Sequence, residues 1–140
     1  MYGEYLHVID AKGRMFLPAK FRSKLGDQVY LAKILDECVN IFSEKSFHEF
    51  MAKIENHPNE ITMGRAMKRK ISASVSVIDV DAQGRVLIAQ KLRDLAGLGK
   101  SVVVVGMGDR VEIWNPETYE KMVNEIDDQQ VEDAMKALGM

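Results

Sequence analysis

Apolar and polar positions along this chain follow one order, and they follow it twice. Near the N-terminus, an apolar stretch from Leu6 to Ile9 runs into a charged segment, DAKGR at 10–14, and then into Met15–Phe16–Leu17. In the second half, SVSVIDV at 74–80 alternates like a half-buried strand, DAQGR follows at 81–85, and Val86–Leu87–Ile88 comes next. Strict alternation marks a strand with one wet face, and a short unbroken apolar run marks a strand that enters a core. Strands are therefore predicted near 6–9, 14–17, 29–32 and 39–42, and again at 74–80, 86–88, 102–105 and 111–114. Pro18 opens a short helix in the first copy, where Ala89 holds the equivalent place in the second. Gly108–Asp109 punctuates the last hairpin.

The helices repeat as well. Phe47, Phe50, Met51 and Ile54 form an i, i+3, i+4, i+7 stripe, and Tyr119, Met122, Val123 and Ile126 form the same stripe 72 positions later. Both stripes are expected to pack on the core. Ser43 and Asn115 stand at the two helix entries as N-cap residues, and Pro116 suits a first helical turn. Two further stripes are expected on helices: Met63, Ala66, Met67 and Lys70 in the middle, and Val131, Ala134, Met135 and Leu138 at the end. His57–Pro58–Asn59 breaks the chain before the middle helix. Aligned at an offset of 71, residues 10–22 and 81–93 share six identities in thirteen positions. The helices match at 72, which implies one extra residue in the loop after Gly97. A duplicated unit of strand, tight turn, strand, short helix, strand, turn, strand, helix is the reading that fits.

Composition narrows the picture without choosing a function. A chain of 140 residues with 46% hydrophobic and 29% charged residues can bury a core without a disulfide or metal staple. No apolar run suits a membrane span, and the N-terminal segment does not resemble an export leader, so a cytoplasmic protein is expected. Cys38 is the single cysteine and reads as a small buried apolar residue. Net charge is −2, but it is unevenly spread. Residues 10–24 carry Lys12, Arg14, Lys20, Arg22 and Lys24 against Asp10, whereas 112–133 carry eight carboxylates against Lys121 alone. That pattern fits either a basic face for an anionic partner or unevenly charged solvated surfaces. Arg65, Lys68, Arg69 and Lys70 on the middle helix leave the same choice between a solvated face and phosphate contact.

The candidate chemistry lies in the repeated turn. In D-A-K/Q-G-R the glycine accepts a left-handed backbone, so the chain can reverse. Asp10 and Asp81 can accept backbone N–H bonds inside their turns. Arg14 and Arg85 then stand at the rim, where each strand leaves solvent for the core. Either each Asp–Arg pair braces a hairpin, which contributes little when exposed, or each arginine is a planar fork for phosphate oxygens or a guanine edge, with Lys12 and Gln83 assisting. Catalytic patterns are missing. His7, His48 and His57 are scattered, no metal-ligand spacing appears, and GMGDR at 106–110 reads as a hairpin rather than a phosphate loop. Neither an enzyme nor a cofactor or metal site is expected.

DAKGRMFLPAKFR, DAQGRVLIAQKLRDLAGL and VVVVGMGDRVEIWNPETYEKM together resemble the MraZ family of bacterial transcriptional regulators, built from tandem SpoVT/AbrB-type units. The likeness runs from Gly3 to about Ile126, and the doubled D-x-x-G-R followed by EIW is its specific part. Ala89 departs from the family, where proline is frequent. The resemblance implies a mainly β, α+β fold: an AbrB-like swapped-hairpin β-barrel made by two tandem pseudo-symmetric repeats with flanking helices. It divides the chain into a first repeat at 4–57, a connecting helix at 58–73, a second repeat at 74–127 and a C-terminal helix at 128–140. It further implies a homo-oligomeric closed ring that binds double-stranded DNA, at short direct repeats upstream of the cell-division and cell-wall genes and of its own gene. Repression is the implied effect and the nucleoid the implied location. DNA contact falls to Lys12, Gly13, Arg14, Gln83, Gly84 and Arg85, with Asp10 and Asp81 shaping the turns. An antitoxin-like protein-interaction module is the alternative.

Overall fold

The computed structural model describes residues 1–55 and 61–140, with the side chains of 61 and 62 left out. The expected break at His57–Pro58–Asn59 lies outside the described residues. The first half runs β1 (Tyr2–Val8), β2 (Arg14–Phe16), α1 (Ala19–Leu25), β3 (Gln28–Ala32), β4 (Cys38–Ser43) and α2 (Glu44–Glu55). Helix α3 (Ile61–Ser74) leads into β5 (Ser76–Asp79), β6 (Arg85–Leu87), α4 (Gln90–Leu95), β7 (Ser101–Met107), β8 (Val111–Trp114), α5 (Pro116–Asn124) and α6 (Asp128–Ala137). The mainly β, α+β architecture is the one expected.

The strands exchange between halves. One antiparallel sheet has the order β1-β7-β8-β4-β3-β5, and β2 pairs with β6 in a separate two-stranded ribbon. Thus β1 of the first half lies on β7 of the second, and β5 of the second lies on β3 of the first. Two pairings locate the symmetry. Met15 faces Val86, its own counterpart 71 positions on, and Asn40 faces Glu112, its counterpart 72 positions on. A residue meets its own equivalent only where a two-fold axis passes, so a pseudo-two-fold runs through both pairs.

A shared core holds the halves together. Leu17, Phe21, Leu25, Val29 and Leu31 from the first meet Ile88, Leu92, Val102 and Val104 from the second, all of them buried. Each such side chain contributes about 1.5–3 kcal/mol by leaving water, so neither half would keep its strands without the other. The registers also refine the repeat. Val29 pairs with Ile78 and Val102 pairs with His7, which makes Val102 the counterpart of Val29 at an offset of 73. Two residues are therefore added before β7 and one is lost from the hairpin after it, rather than the single insertion expected.

At the far end of the axis the core turns polar. Asn40 and Glu112 are buried, and Arg110 Nε donates to Asn40 Oδ1 at 3.1 Å while Trp114 Nε1 donates to Glu112 Oε1 at 3.0 Å. Arg110 also reaches Glu112 Oε2 at 3.5 Å, so the carboxylate has donors on both oxygens. A buried carboxylate left unpaired would be costly, and this one is paired. Cys38 lies beside it, fully buried with Val103 and Trp114. Burial first, then the Glu112 charge, pushes its thiol well above the ordinary value, which makes it an inert packing residue.

The helices depart from expectation in two places. In α2 the stripe packs as predicted: Phe47 and Met51 are buried, Phe47 stacks on Tyr30 with centroids 4.8 Å apart, and Ser43 Oγ accepts from the amide of Ser46 at 3.1 Å. In α3, however, Met63, Ala66, Met67 and Lys70 face solvent, and the packed face carries Gly64, Ile71 and Ser74. Gly64 leaves room against the carbonyl of Ile54, and the Ser74 hydroxyl donates to Ile71 O at 2.8 Å and accepts from the amide of Lys33 at 3.0 Å. A glycine and a satisfied serine do not register as apolar letters, so the periodicity selects the wrong face.

The second departure is α5. Asn115 caps it through the amide of Glu117 at 2.9 Å, and Tyr119 meets Trp114, but Met122, Val123 and Ile126 are exposed. Its counterpart α2 is covered by α3, whereas α6 follows α5 with every residue exposed. Helix α6 forms through local chemistry: the Asp127 carboxylate accepts from the Gln130 amide, and the Gln130 side chain accepts from the Asp127 amide.

Candidate nucleic-acid interface

Each D-A-x-G-R turn is closed by its own aspartate. Asp10 Oδ1 accepts from the amides of Lys12 and Arg14, each at 2.9 Å, and Asp10 Oδ2 accepts from Arg14 Nε at 3.0 Å. Asp81 repeats the arrangement with Gln83 at 2.9 Å, the Arg85 amide at 2.8 Å and Arg85 Nε at 2.7 Å. Gly13 and Gly84 sit at φ 88 and φ 81, in the region that side-chain-bearing residues resist. In both arginines the carboxylate uses Nε alone. The terminal nitrogens of each guanidinium have no protein partner among the described residues, so the fork is held at its base and open at its tip.

Both carboxyls are held below the ordinary aspartate value, mainly by the backbone N–H of Arg14 or Arg85, then by that arginine's side chain. A depressed folded-state value means the unfolded chain takes up protons first as pH falls. The stabilisation is present above the ordinary value near pH 4 and is lost as pH drops through the lower folded value. Asp10→Asn with Asp81→Asn is therefore expected to flatten the acid side of the stability curve. Melting followed by circular dichroism from about pH 5 down to about pH 2.5 would check this, with parallel curves for both proteins as the contrary result.

The two turns support each other crosswise. The amide of Leu17 donates to Gly84 O at 3.0 Å, and the amide of Ile88 donates to Gly13 O at 2.8 Å. Arg22 donates from Nε to Leu17 O at 3.2 Å, and Arg93 donates from Nε to Ile88 O at 2.9 Å. These bonds lay the Arg22 guanidinium over Gly84 and that of Arg93 over Gly13, where an added Cβ would collide with them. Each turn is thus roofed by an arginine from the other half. Four guanidiniums gather about the pseudo-two-fold, two more than the sequence motif names. Arg22 and Arg93 stand 71 positions apart in the aligned repeats, but only the exchange of strands places each beside the opposite turn.

The β2–β6 ribbon lies between the turns. Met15 and Val86 point inward, while Arg14 faces Leu87 and Phe16 faces Arg85 on the outer side. The Arg85 guanidinium lies 5.8 Å above the Phe16 ring. The two ends are unequal. The amide of Ile9 donates to Lys100 O at 2.7 Å beside the first turn, whereas the amide of Val80 donates to Asp27 O at 2.8 Å beside the second. A hollow of about 400 Å³ next to the first turn is lined by Asp10, Arg93 and Lys100 among others. Lys12 and Lys100 thus strengthen one end, where Gln83 and Asp27 hold the equivalent places at the other.

The described residues contain no group of three metal-ligating side chains. They also form no helix long and apolar enough to cross a membrane. Arg65, Arg69 and Lys70 of α3 are exposed, and Lys68 pairs with Glu55. GMGDR forms the β7–β8 hairpin, closed by the Met107 amide on Arg110 O at 2.8 Å.

Comparison with known proteins shows the family of the chain. A family model described as "MraZ protein, putative antitoxin-like" matches residues 1–70 and 74–138. The chain belongs to the MraZ family. Among its relatives named "Transcriptional regulator MraZ", that of Acetivibrio thermocellus is 42% identical over 119 residues, covering 85% of this chain and 83% of the relative. That of Carboxydothermus hydrogenoformans is 43% identical over 122 residues, covering 87% and 85%. The Lachnoclostridium phytofermentans protein is 37% identical over 139 residues, covering 99% and 96%. The likeness therefore spans both turns and both halves of this MraZ-family chain.

Proposed function

We propose that this chain is a sequence-specific DNA-binding transcriptional regulator. The carrying observation is the pair of arginine forks, Arg14 and Arg85, fixed at Nε by their aspartates and open outward on either side of one pseudo-two-fold. Lys12, Gly13, Arg14, Gln83, Gly84 and Arg85 form the contact surface, Asp10 and Asp81 hold it in shape, and Arg22 and Arg93 add charge for phosphates. Names borne by the relatives support the same reading. The DNA is double-stranded, with short direct repeats upstream of the division and cell-wall genes and of the chain's own gene, and binding represses transcription on the nucleoid.

One chain offers few phosphate contacts, so a homo-oligomeric ring that presents the turns at fixed spacing would make each later contact intramolecular. Exposed Tyr2, Leu6 and Val8 on the edge strand β1, and the apolar residues of α5 and α6, supply surface for such assembly. Those same helices favour a second reading, a protein-interaction module. Recovery of one stoichiometric protein partner with no DNA retained would support that module instead.

Fluorescence anisotropy with a duplex from upstream of the chain's own gene, at several salt concentrations, tests the proposal. Affinity should fall linearly in logarithmic terms with salt, by about 0.9 per phosphate neutralised. Arg22→Ala with Arg93→Ala should lower that slope by about 2 per chain bound, if each arginine meets one phosphate. Absence of binding at low salt would defeat the proposal.

A further inference from the structure

We infer that Phe16 and Leu87 read thymine methyl groups in the major groove, which makes them specificity-determining residues of the interface proposed above. The inference rests on that DNA-binding reading and goes beyond it. Phe16 and Leu87 are 71 positions apart and equivalent in the repeat, and they are 49% and 50% exposed. Their ribbon neighbours Met15 and Val86 are buried, so strand alternation turns the other two outward by construction. Outward positions on a wet ribbon are ordinarily polar. Here both are large and apolar, and each faces an arginine across the ribbon, Leu87 facing Arg14 and Phe16 facing Arg85.

Geometry narrows what could cover them. Arg14 and Leu87 form one cross-strand pair, and Phe16 and Arg85 the next on the same face. Paired side chains stand about 5 Å apart, and positions two residues along a strand about 6.7 Å apart. Four side chains thus fill a patch about as long as two base-pair steps of 3.4 Å. A major groove admits a two-stranded ribbon and offers two features that match this patch: acceptor edges of guanine for arginine, and the C5 methyl of thymine for an apolar side chain. Phosphates would match the arginines alone and would leave Phe16 and Leu87 facing water or charge. The Arg85 guanidinium over the Phe16 ring couples the two modes, since the ring that contacts a methyl also orients the neighbouring fork.

Uracil lacks only the methyl, which permits a direct test. The upstream duplex is amplified once with dTTP and once with dUTP in its place, and both are titrated with the intact chain. The thymine duplex should bind more tightly, by roughly fourfold for each methyl contacted. Phe16→Ser with Leu87→Ser should bind both duplexes alike, at the wild-type affinity for the uracil duplex or below it. Leu87→Ala, which leaves the Arg85–Phe16 stack in place, should lose part of the discrimination. Equal wild-type affinity for both duplexes overturns the inference while leaving DNA binding intact, and it needs no variant to fold. Discrimination that survives in the double variant overturns it too, since DNA shape would then be the cause. Loss of discrimination accompanied by a changed oligomeric state, seen by light scattering, would assign the face to contacts between copies and overturn the inference. Failure to bind either duplex at low salt would remove the underlying reading along with it.

Discussion

Arg14→Ala combined with Arg85→Ala should weaken binding to the upstream duplex by at least about 30-fold, while the far-ultraviolet circular dichroism stays that of the parent. Each bidentate arginine contact to a base contributes about 1–3 kcal/mol of discrimination, and the pair lies on one surface where the losses compound. Folding should survive because the turns do not depend on the guanidiniums for closure. Asp10 keeps its bonds from the amides of Lys12 and Arg14, and Asp81 keeps those from Gln83 and Arg85. The single variants should differ. Arg14 stands at the end strengthened by Lys12 and Lys100, where other cations can hold the duplex in its absence. Arg85 has Gln83 and Asp27 where the other end has Lys12 and Lys100, so among the described residues Arg22 is the cation that remains against that turn. Arg85→Ala should therefore cost more affinity than Arg14→Ala. Arginine-to-lysine changes at both positions would retain charge without the fork, and they should preserve the salt slope while relaxing sequence preference. Equal, unchanged affinities across this series, with normal folding, would refute the assignment of both turns.

Much of this was legible in the sequence because the duplication wrote it twice. Matching turns at 10–14 and 81–85 predicted paired rims, although each turn joins strands of separate sheets rather than the arms of a hairpin, and of the apolar runs expected to enter the core Met15, Leu17, Val86 and Ile88 lie inside while Phe16 and Leu87 face outward. What the local pattern could not convey, and the family resemblance alone implied, was exchange. Nothing local to β1 says that it will leave its own half and pair with β7, because both candidate partners are equally apolar strands. Arg22 and Arg93 were lost for that reason: each counts as a helix cation in its own repeat and acquires its place only over the other half's glycine. The faces of α3 and α5 failed differently. Tertiary cover, rather than amphipathic spacing, decides which stripe is buried, and α3 packs through Gly64 and Ser74 while Met122, Val123 and Ile126 of the α5 stripe are left exposed. Local capping signals fared better, since Ser43 and Asn115 act within three residues of themselves.

The two turn glycines separate shape from charge. Gly84→Ala and Gly13→Ala each force a side-chain-bearing residue into a left-handed conformation, at about 1–3 kcal/mol apiece. For a chain of this size, that should lower the melting midpoint by about 3–12 °C. Beyond that shared cost their consequences diverge. A Cβ on Gly84 would come within 2.1 Å of the Arg22 guanidinium carbon, so the mobile end of Arg22 must swing away and give up its bond to Leu17 O. At Gly13 the Cβ would approach Arg93 Nη2 at 2.9 Å but also the backbone carbonyl of Ile88 at 3.0 Å, which cannot move without disturbing the cross-turn bond from the Ile88 amide. Gly13→Ala should therefore be the more destabilising by calorimetry. Gly84→Ala should show the larger loss of DNA affinity for each degree of melting lost, because it displaces a cation from the weaker end of the surface. Restoring salt-slope behaviour to Gly84→Ala by lowering ionic strength would still leave its affinity below that of Gly13→Ala once both are compared fully folded. The opposite ranking in both measurements would mean that the roofing arginines contribute packing alone.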